Sequence, residues 1–311
     1  MDALVALRSA VRATLEKFSA GDVVLVAVSG GADSLALAEA AKLEGEKLAL
    51  KIIGVTIDHQ LQSGSDLQAE KVVKQLSIPC LIEKVKVEIT DGLEASARRA
   101  RYAALEKCAK ENGAVAILLG HTKDDQAETV LLGLARGSGA RSLSGMANEN
   151  GIYLRPLLDI TRAQTVAACQ ELNLEPWSDP HNDDESFLRV RARKNVLPVM
   201  ESELGPGIRD ALVRSSQLLR DDADALDALA KEFWQSDRSL EVAPLVALPK
   251  AIRTRVLRLA LFESGVSQLS AEQVAQVEAL ISNWKGQGEV DRKSTRLNSS
   301  HTDISRMPSS A

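Results

Sequence analysis

Cysteine is scarce in this chain: Cys80, Cys108 and Cys169 lie far apart in sequence. No Cys-x-x-Cys occurs and none of the three sits at metal-ligand spacing from a histidine, so the expected role is that of core thiols. Equally absent is an uninterrupted apolar run of about 18 residues. Met1-Asp2-Ala3-Leu4 also lacks a charged region leading into an apolar core. The expected setting is cytoplasmic, with no membrane partner. Positive charge is not in excess either. The net charge of -5 offers nucleic acid no global attraction and leaves any RNA binding to local basic patches. Two common phosphate loops are missing too: there is no G-x-x-x-x-G-K-S/T, and no G-x-G-x-x-G follows a strand.

What is present is a chain of 311 residues, 45% hydrophobic and 26% charged, long enough for one good-sized domain and a smaller one. Apolar, β-branched runs recur at residues 23–28, 52–57, 81–87 and 115–119, with helix-like segments between them. That alternation predicts an α/β fold, a doubly wound parallel sheet with helices on both faces. Residues 2–18 read as an amphipathic lead-in helix. Residues 177–184 are polar and broken by proline, as in a long functional loop. From about Gly205 the periodicity is helical, at 208–233, 252–263 and 271–284, which predicts a small helical domain after the sheet. The expected division is a catalytic domain over 1–200 and a helical domain over 201–291. Residues 292–311 are rich in serine with neither period nor apolar face; they look like translated adapter or vector sequence and are expected to form a non-native disordered tail.

The most informative residues are Ser29-Gly30-Gly31-Ala32-Asp33-Ser34, directly after the first apolar run and before a helix-like stretch. A strand that breaks at two glycines and re-enters a helix aims backbone N–H groups and the helix dipole at one spot, which suits a phosphate. The glycines allow close approach, and Ser29 and Ser34 can add hydroxyl donors. Asp33 would repel a phosphate unless a divalent cation lay between, which points to Mg²⁺ with a nucleotide. On spacing alone, a Gly-Gly turn with a capping Asp or Ser stays open.

A second segment, His121-Thr122-Lys123-Asp124-Asp125-Gln126-Ala127-Glu128-Thr129, sets a histidine at a strand end and three carboxylates on the first turns of a helix. Asp124 and Glu128 are i,i+4 neighbours and Asp125 and Glu128 are i,i+3, so all three can contribute to one acidic patch. Ordinary dipole complementation is the alternative. Arg98 and Arg101 share a helix face. Arg189, Arg191, Arg193 and Lys194 form the densest basic cluster before residue 200, a candidate phosphate contact for nucleic acid or else a solvated face.

The hexapeptide resembles the SGGxDS loop of the PP-loop ATP pyrophosphatases, a Rossmann-like superfamily that splits ATP to AMP and pyrophosphate. Five further elements in order are similar to those of the tRNA(Ile)-lysidine synthetases. These are Asp58-His59-Gln60-Leu61, the Ala97 to Tyr102 element with Arg98 and Arg101, the His121 segment, Arg155-Pro156-Leu157-Leu158, and Trp177-Ser178-Asp179-Pro180 with Asn182 and Asp183. Arg136-Gly137-Ser138-Gly139 resembles the family's RGxG turn. The resemblance implies an ATP-dependent ligase that adenylates the wobble cytidine of a tRNA(Ile) with a CAU anticodon, then joins free L-lysine to its C2. ATP would be held by Ser29, Gly30, Gly31, Ala32, Asp33 and Ser34 with Asp58 and His59, and Mg²⁺ by Asp33. Catalysis would fall to Asp33, Arg98, Arg101, His121, Asp124, Asp125 and Glu128. Arg189, Arg191, Arg193 and Lys194 would meet the tRNA. A homodimer is one option that the pattern does not decide.

Gln62 stands where many relatives carry arginine, His181 replaces a frequent serine, and a β-containing C-terminal segment of relatives is expected to be missing. Rival readings are another PP-loop tRNA-modifying or amidating enzyme, or a non-catalytic nucleotide or tRNA binder. Sulfur-transferring relatives on this fold need cysteines that the chain does not arrange, and the intact carboxylates weigh against a mere binder.

Overall fold

In the computed structural model, described over residues 2–60, 64–88, 92–177, 183–234, 241–266 and 269–283, the apolar runs become the strands of a six-stranded sheet. The order of elements begins α1 (Ala3–Leu15), β1 (Val23–Ala27), α2 (Ala32–Lys47), β2 (Lys51–Asp58), α3 (Ser65–Gln75), β3 (Cys80–Lys84), α4 (Leu93–Asn112), β4 (Ala114–Leu118) and α5 (Lys123–Ala135). It continues with α6 (Ala140–Leu143), β5 (Glu149–Asn150), β6 (Tyr153–Leu154), α7 (Arg162–Glu171) and α8 (Leu188–Arg191), then a π-helical turn at Ala192–Val196 and α9 (Leu197–Glu203). The last helices are α10 (Ile208–Phe233), α11 (Val242–Ala247), α12 (Lys250–Glu263) and α13 (Ala271–Ser282).

The strand order is β3-β2-β1-β4-β6-β5. Every pairing is parallel except that of β5 with β6, so the expected all-parallel sheet carries one antiparallel edge strand. Alternate residues of each strand feed opposite layers. Val24, Val26, Ala116 and Leu118 join the core formed with α1, α2 and α7, whereas Leu25, Val55 and Ile117 face Leu105 and Cys108 of α4. The central strands are buried on both faces, which is why they read as apolar runs rather than as alternation. Leu7, Val11 and Leu15, one helical turn apart, are fully buried on the α1 face; together they contribute on the order of 6 kcal/mol.

The chain winds from β1 through β2 to β3 on one side and resumes with β4 on the other, so the order reverses between β1 and β4. In open α/β sheets that crevice, at the carboxyl ends of the strands, receives ligands. The segments after β1 and β4 are the two that the motifs singled out.

Contacts divide the chain into two compact units, one made of residues 1–138 and 142–217, the other of 139–141 and 218–311. In the second, Ala230, Leu245, Val256 and Leu257 form the core with Trp234, Ile252, Val277 and Ile281 packed around it. Arg253 Nε donates to Glu278 Oε1 at 2.9 Å, and its Nη1 donates to the carbonyls of Val246 and Leu248 at 2.9 Å each. Both side chains are close to fully buried, so neither charge can be removed singly without stranding the other. Arg253→Met is therefore expected to destabilise the chain by about 3 kcal/mol, read as a lowered midpoint in thermal unfolding followed by circular dichroism.

Candidate active site

After β1 the Val28 N–H still reaches Val55 O at 2.8 Å, and then the chain turns. Gly30 has φ +88°, and a Cβ there would lie 2.6 Å from Val72 Cγ2, so only glycine fits. Gly31 is the N-cap of α2 in extended conformation, with no side-chain hydrogen bond to the first turn. The uncapped N-terminus keeps its dipole and N–H groups for an anion. Ser34 serves the loop itself: its Oγ accepts the Ser29 N–H at 3.1 Å and donates to Gly31 O at 2.9 Å. Ser29 Oγ sits 3.3 Å from Ser34 Oγ. A Cβ on Gly120 would come within 3.2 Å of the Asp33 backbone, so the ends of β4 and of this loop abut.

The carboxylates meet across that contact, each compensated by an arginine. Asp33 accepts a hydrogen bond from Thr165 Oγ1 and one from Arg162 Nε at 3.4 Å. Arg162 also donates through Nη2 to Asp125 Oδ1 at 3.3 Å and through its backbone N–H to Asp124 Oδ2 at 2.8 Å. Arg209 Nε lies 3.7 Å from Asp124 Oδ1. Asp125 closes a capping box, its Oδ2 accepting the Thr122 N–H at 2.8 Å and the Thr122 hydroxyl at 3.1 Å. Glu128 is fully buried; its Oε2 accepts from Arg189 Nε at 2.9 Å while Oε1 has no partner among the described residues. Arg189 further donates to Asp125 O at 3.2 Å and Thr129 Oγ1 at 3.1 Å.

Burial raises the Asp33 carboxyl, Arg162 and Thr165 oppose the rise, and neighbouring Asp125 adds to it. Burial also raises Glu128, again with Asp125 adding. At Asp125 burial pulls the same way but is outweighed by Arg162, Arg189 and the Thr122 N–H, and the group is held below the usual carboxylate range. Basic groups stand near these carboxylates. Burial lowers the Arg101 guanidinium, helped by Arg98 and Arg189. Burial and the Arg101 charge lower His59. His121 is brought down to about 4 by burial, which Asp125 opposes and Arg155, Arg101 and Arg189 reinforce. Among the described residues the Nδ1 atoms of His59 and His121, both buried, have no hydrogen-bond partner. His121 is therefore a neutral group at physiological pH, able to donate or accept but not to carry charge.

Of the residues singled out in sequence, the structure brings Asp33, Asp124, Asp125, Glu128, His121 and Arg101 together, and the others stand differently. Asp58 is buried, and its Oδ1 accepts the Gln60 N–H at 2.9 Å, bracing a residue at φ +53°. Arg98 is exposed and donates to Tyr102 Oη at 3.2 Å. The basic cluster does not form one outward row. Arg189 turns inward to Glu128, Arg191 Nη1 donates to Glu185 O at 3.2 Å, and Lys194 pairs with Asp183 at 2.5 Å. Arg193 lies within the π-helical turn; the carboxyl of Asp183 is lowered chiefly by the Lys194 hydrogen bond and charge, with Arg193 adding to them. Leu61 and Gln62, Ser178 to Asn182, and residues 284–311 lie outside the described residues. Sequence reading missed Arg162, Thr165 and Arg209; the available signal was Thr161-Arg162-Ala163-Gln164, a capping box that starts α7 with Arg162 as its first residue.

Among the described residues no group of three or more His, Cys, Asp or Glu side chains is arranged to hold a metal ion. Mg²⁺ is satisfied with one or two carboxylates plus substrate phosphates. Asp33, at the mouth of the uncapped helix and still partly exposed, fits that donor set.

Residues 5–200 match a family model described as a PP-loop domain, and residues 240–300 match one described as a TilS substrate binding domain. The chain is 50% identical over 305 residues to the tRNA(Ile)-lysidine synthase of Thermobifida fusca, covering 95% of this chain and 94% of that protein. It is 50% identical over 282 residues to the Streptomyces coelicolor tRNA(Ile)-lysidine synthase, covering 86% and 80%. It is 47% identical over 290 residues to that of Leifsonia xyli, covering 89% and 87%. Among solved structures, the U34-tRNA thiolase NcsA from Methanococcus maripaludis superposes with a TM-score of 0.57 at 18% identity, over 70% of this chain and 79% of that one, a likeness of fold.

The depressed His121 has a measurable consequence. Below pH 6.5 the unfolded chain takes up a proton that native His121 refuses until about pH 4, so stability falls across that window. His121→Asn is expected to flatten this limb by about 2 kcal/mol between pH 7 and pH 4.5 in urea unfolding; an unchanged limb would show that native His121 takes up its proton as the unfolded chain does.

Proposed function

Because this chain belongs to the tRNA(Ile)-lysidine synthase family, we propose that it joins free L-lysine to C2 of the wobble cytidine in a tRNA(Ile) with a CAU anticodon, spending ATP to AMP and pyrophosphate. The observation that carries this reading is the pairing of an uncapped phosphate cradle with a wall of four carboxylates that already hold cationic side chains. A cradle alone handles ATP. A wall that accommodates guanidinium groups also suits the ammonium of an amino acid.

In the first half-reaction the C2 carbonyl oxygen attacks the α-phosphorus and pyrophosphate leaves. The N-terminus of α2 and the loop amides hold the departing charge, and Arg98 and Arg101 face the charge that develops. Mg²⁺, held by Asp33, would neutralise charge on the phosphates. In the second half-reaction the lysine amine attacks C2, the C2–O bond breaks and AMP departs. The amine must first lose a proton, since an ammonium has no lone pair. Glu128 is the best-placed acceptor: it is buried, its pKa is raised, and Oε1 is unpartnered among the described residues. Asp124 and Asp125 would orient the cation, with Arg162 and Arg189 yielding part of their contacts to it. Neutral His121 would contact the base or a phosphate.

Residues 1–200 are assigned to catalysis, and 201–291 to tRNA contact together with Arg191, Arg193 and Lys194. A tRNA substrate sets the work in the cytoplasm. The test is an assay with ATP, L-lysine and the CAU tRNA, following AMP release and lysine incorporation. If AMP forms only with another acceptor, or the modified tRNA accumulates without lysine, the reading is wrong. Asp33→Asn is expected to abolish adenylation. Asp124→Asn or Asp125→Asn should retain part of it and raise the lysine KM about tenfold, the equivalent of one lost charge contact. Equal loss of both half-reactions in all three variants would overturn this division of labour.

A further inference from the structure

A cavity of about 270 Å³ opens beside the basic groups of the site, lined by Arg98, Arg99, Tyr102, Asn150 and Arg155. Each of the five side chains can donate a hydrogen bond, three of them as guanidinium groups. The rim is exposed at Arg98, Arg99 and Asn150. The floor is Arg155, only 7% exposed, whose Nη1 donates to Ala147 O at 2.9 Å while its Nε is buried with no partner among the described residues. An unpaired donor on a buried cation is costly unless a ligand completes it. Arg98 is preset over the Tyr102 ring, 4.9 Å from its centroid, and Tyr102 is held edge-on to Tyr153.

We propose that this cavity is a second anion subsite that grips a phosphodiester of the tRNA strand next to the reacting base. The proposal rests on reading the chain as a tRNA-acting enzyme. Position separates the floor of the cavity, though not its rim residue Arg98, from the nucleotide cradle: Arg155 follows β6, two strand places from β1, or about 10 Å across the sheet. Position also ties it to the chemistry, because the Arg155 charge acts on His121. A rim open to solvent suits a polymer laid across it, with one phosphate reaching the floor. Anchored there, the strand would present its neighbouring base toward His121 while the cradle holds ATP on the other side. Such contacts position the nucleic acid without reading its sequence.

The experiment uses the full chain and unmodified CAU tRNA, with binding measured over a series of sodium chloride concentrations. Arg99→Gln and Arg155→Gln are each expected to raise the tRNA Kd about tenfold and reduce the slope of log Kd against log salt by about 0.7, one single-strand phosphate contact. ATP affinity without RNA and the KM for lysine should stay within about twofold. Arg155→Lys, which keeps the charge, should recover much of the salt slope. Arg12→Gln, on α1, should change nothing. Unaltered tRNA affinity and slope in Arg99→Gln would overturn the proposal, and this exposed position decides the matter if Arg155→Gln fails to fold. So would loss of ATP or lysine affinity with tRNA binding intact, which would assign the cavity to those substrates. Lysine incorporation by the unaltered chain, run in parallel, separates the two readings. If it is absent while the variants still lose a phosphate contact, the subsite stands and the lysine-transfer reading falls.

Discussion

Arg162 is the cation around which the acidic side of the crevice is arranged. Asp33 arrives from the first turn of α2, and Asp124 and Asp125 from the first turn of α5, two helix starts brought together at the reversal between β1 and β4. Like charges that close raise one another's pKa and would drive the loops apart if nothing lay between them. Arg162 bonds to all three, through its side chain to Asp33 and Asp125 and through its backbone N–H to Asp124. Its placement depends on α7 starting where it does, which the Thr161 capping box sets. Thr165, one turn further along the same helix, holds the other oxygen of Asp33. The wall of the site is thus a property of where α7 docks.

Burial and the arginines near this wall explain why His121 is neutral. A histidine beside Asp125 alone would be expected to hold its proton, but here burial and three arginines outweigh that carboxylate. The same competition splits the two carboxylates a turn apart on α5. Asp125, with cations on two sides, is held below the usual carboxylate range, while burial raises Glu128. Two carboxyl groups with opposed shifts can divide the labour of holding a cation and taking its proton. The cavity floored by Arg155 extends this basic region outward, where a long polyanion can reach it.

Much of this was legible in sequence because it is local. The runs at 23–28 and 52–57 became β1 and β2 within a residue or two, since a strand buried on both faces needs a continuous apolar segment. The helix expected over 208–233 has those bounds. The phosphate loop was readable because its chemistry lies in consecutive residues, with Gly30 imposing a backbone that other residues resist. Strands β5 and β6 were not readable: two residues carry no periodicity, and the antiparallel edge follows from a turn and not from composition. Nor was the inward turn of Arg189, because the four basic residues on one stretch look alike until the π-helical turn shifts their angular spacing.

The sequence by itself determined the alternation of strand and helix, the phosphate loop with its aspartate, and the carboxylates that open α5, because each is written within one or two turns of chain. Only the tertiary structure decided which cation compensates which carboxylate. Arg162 is 129 residues from Asp33, and Arg189 is 61 residues from Glu128. It also decided that Arg155, singled out in sequence only as part of the Arg155-Pro156-Leu157-Leu158 element, becomes the floor of a cavity facing α4. Pair energies between charges fall with distance in space and take no account of distance along the chain, so those assignments wait on the packing of helices against the sheet.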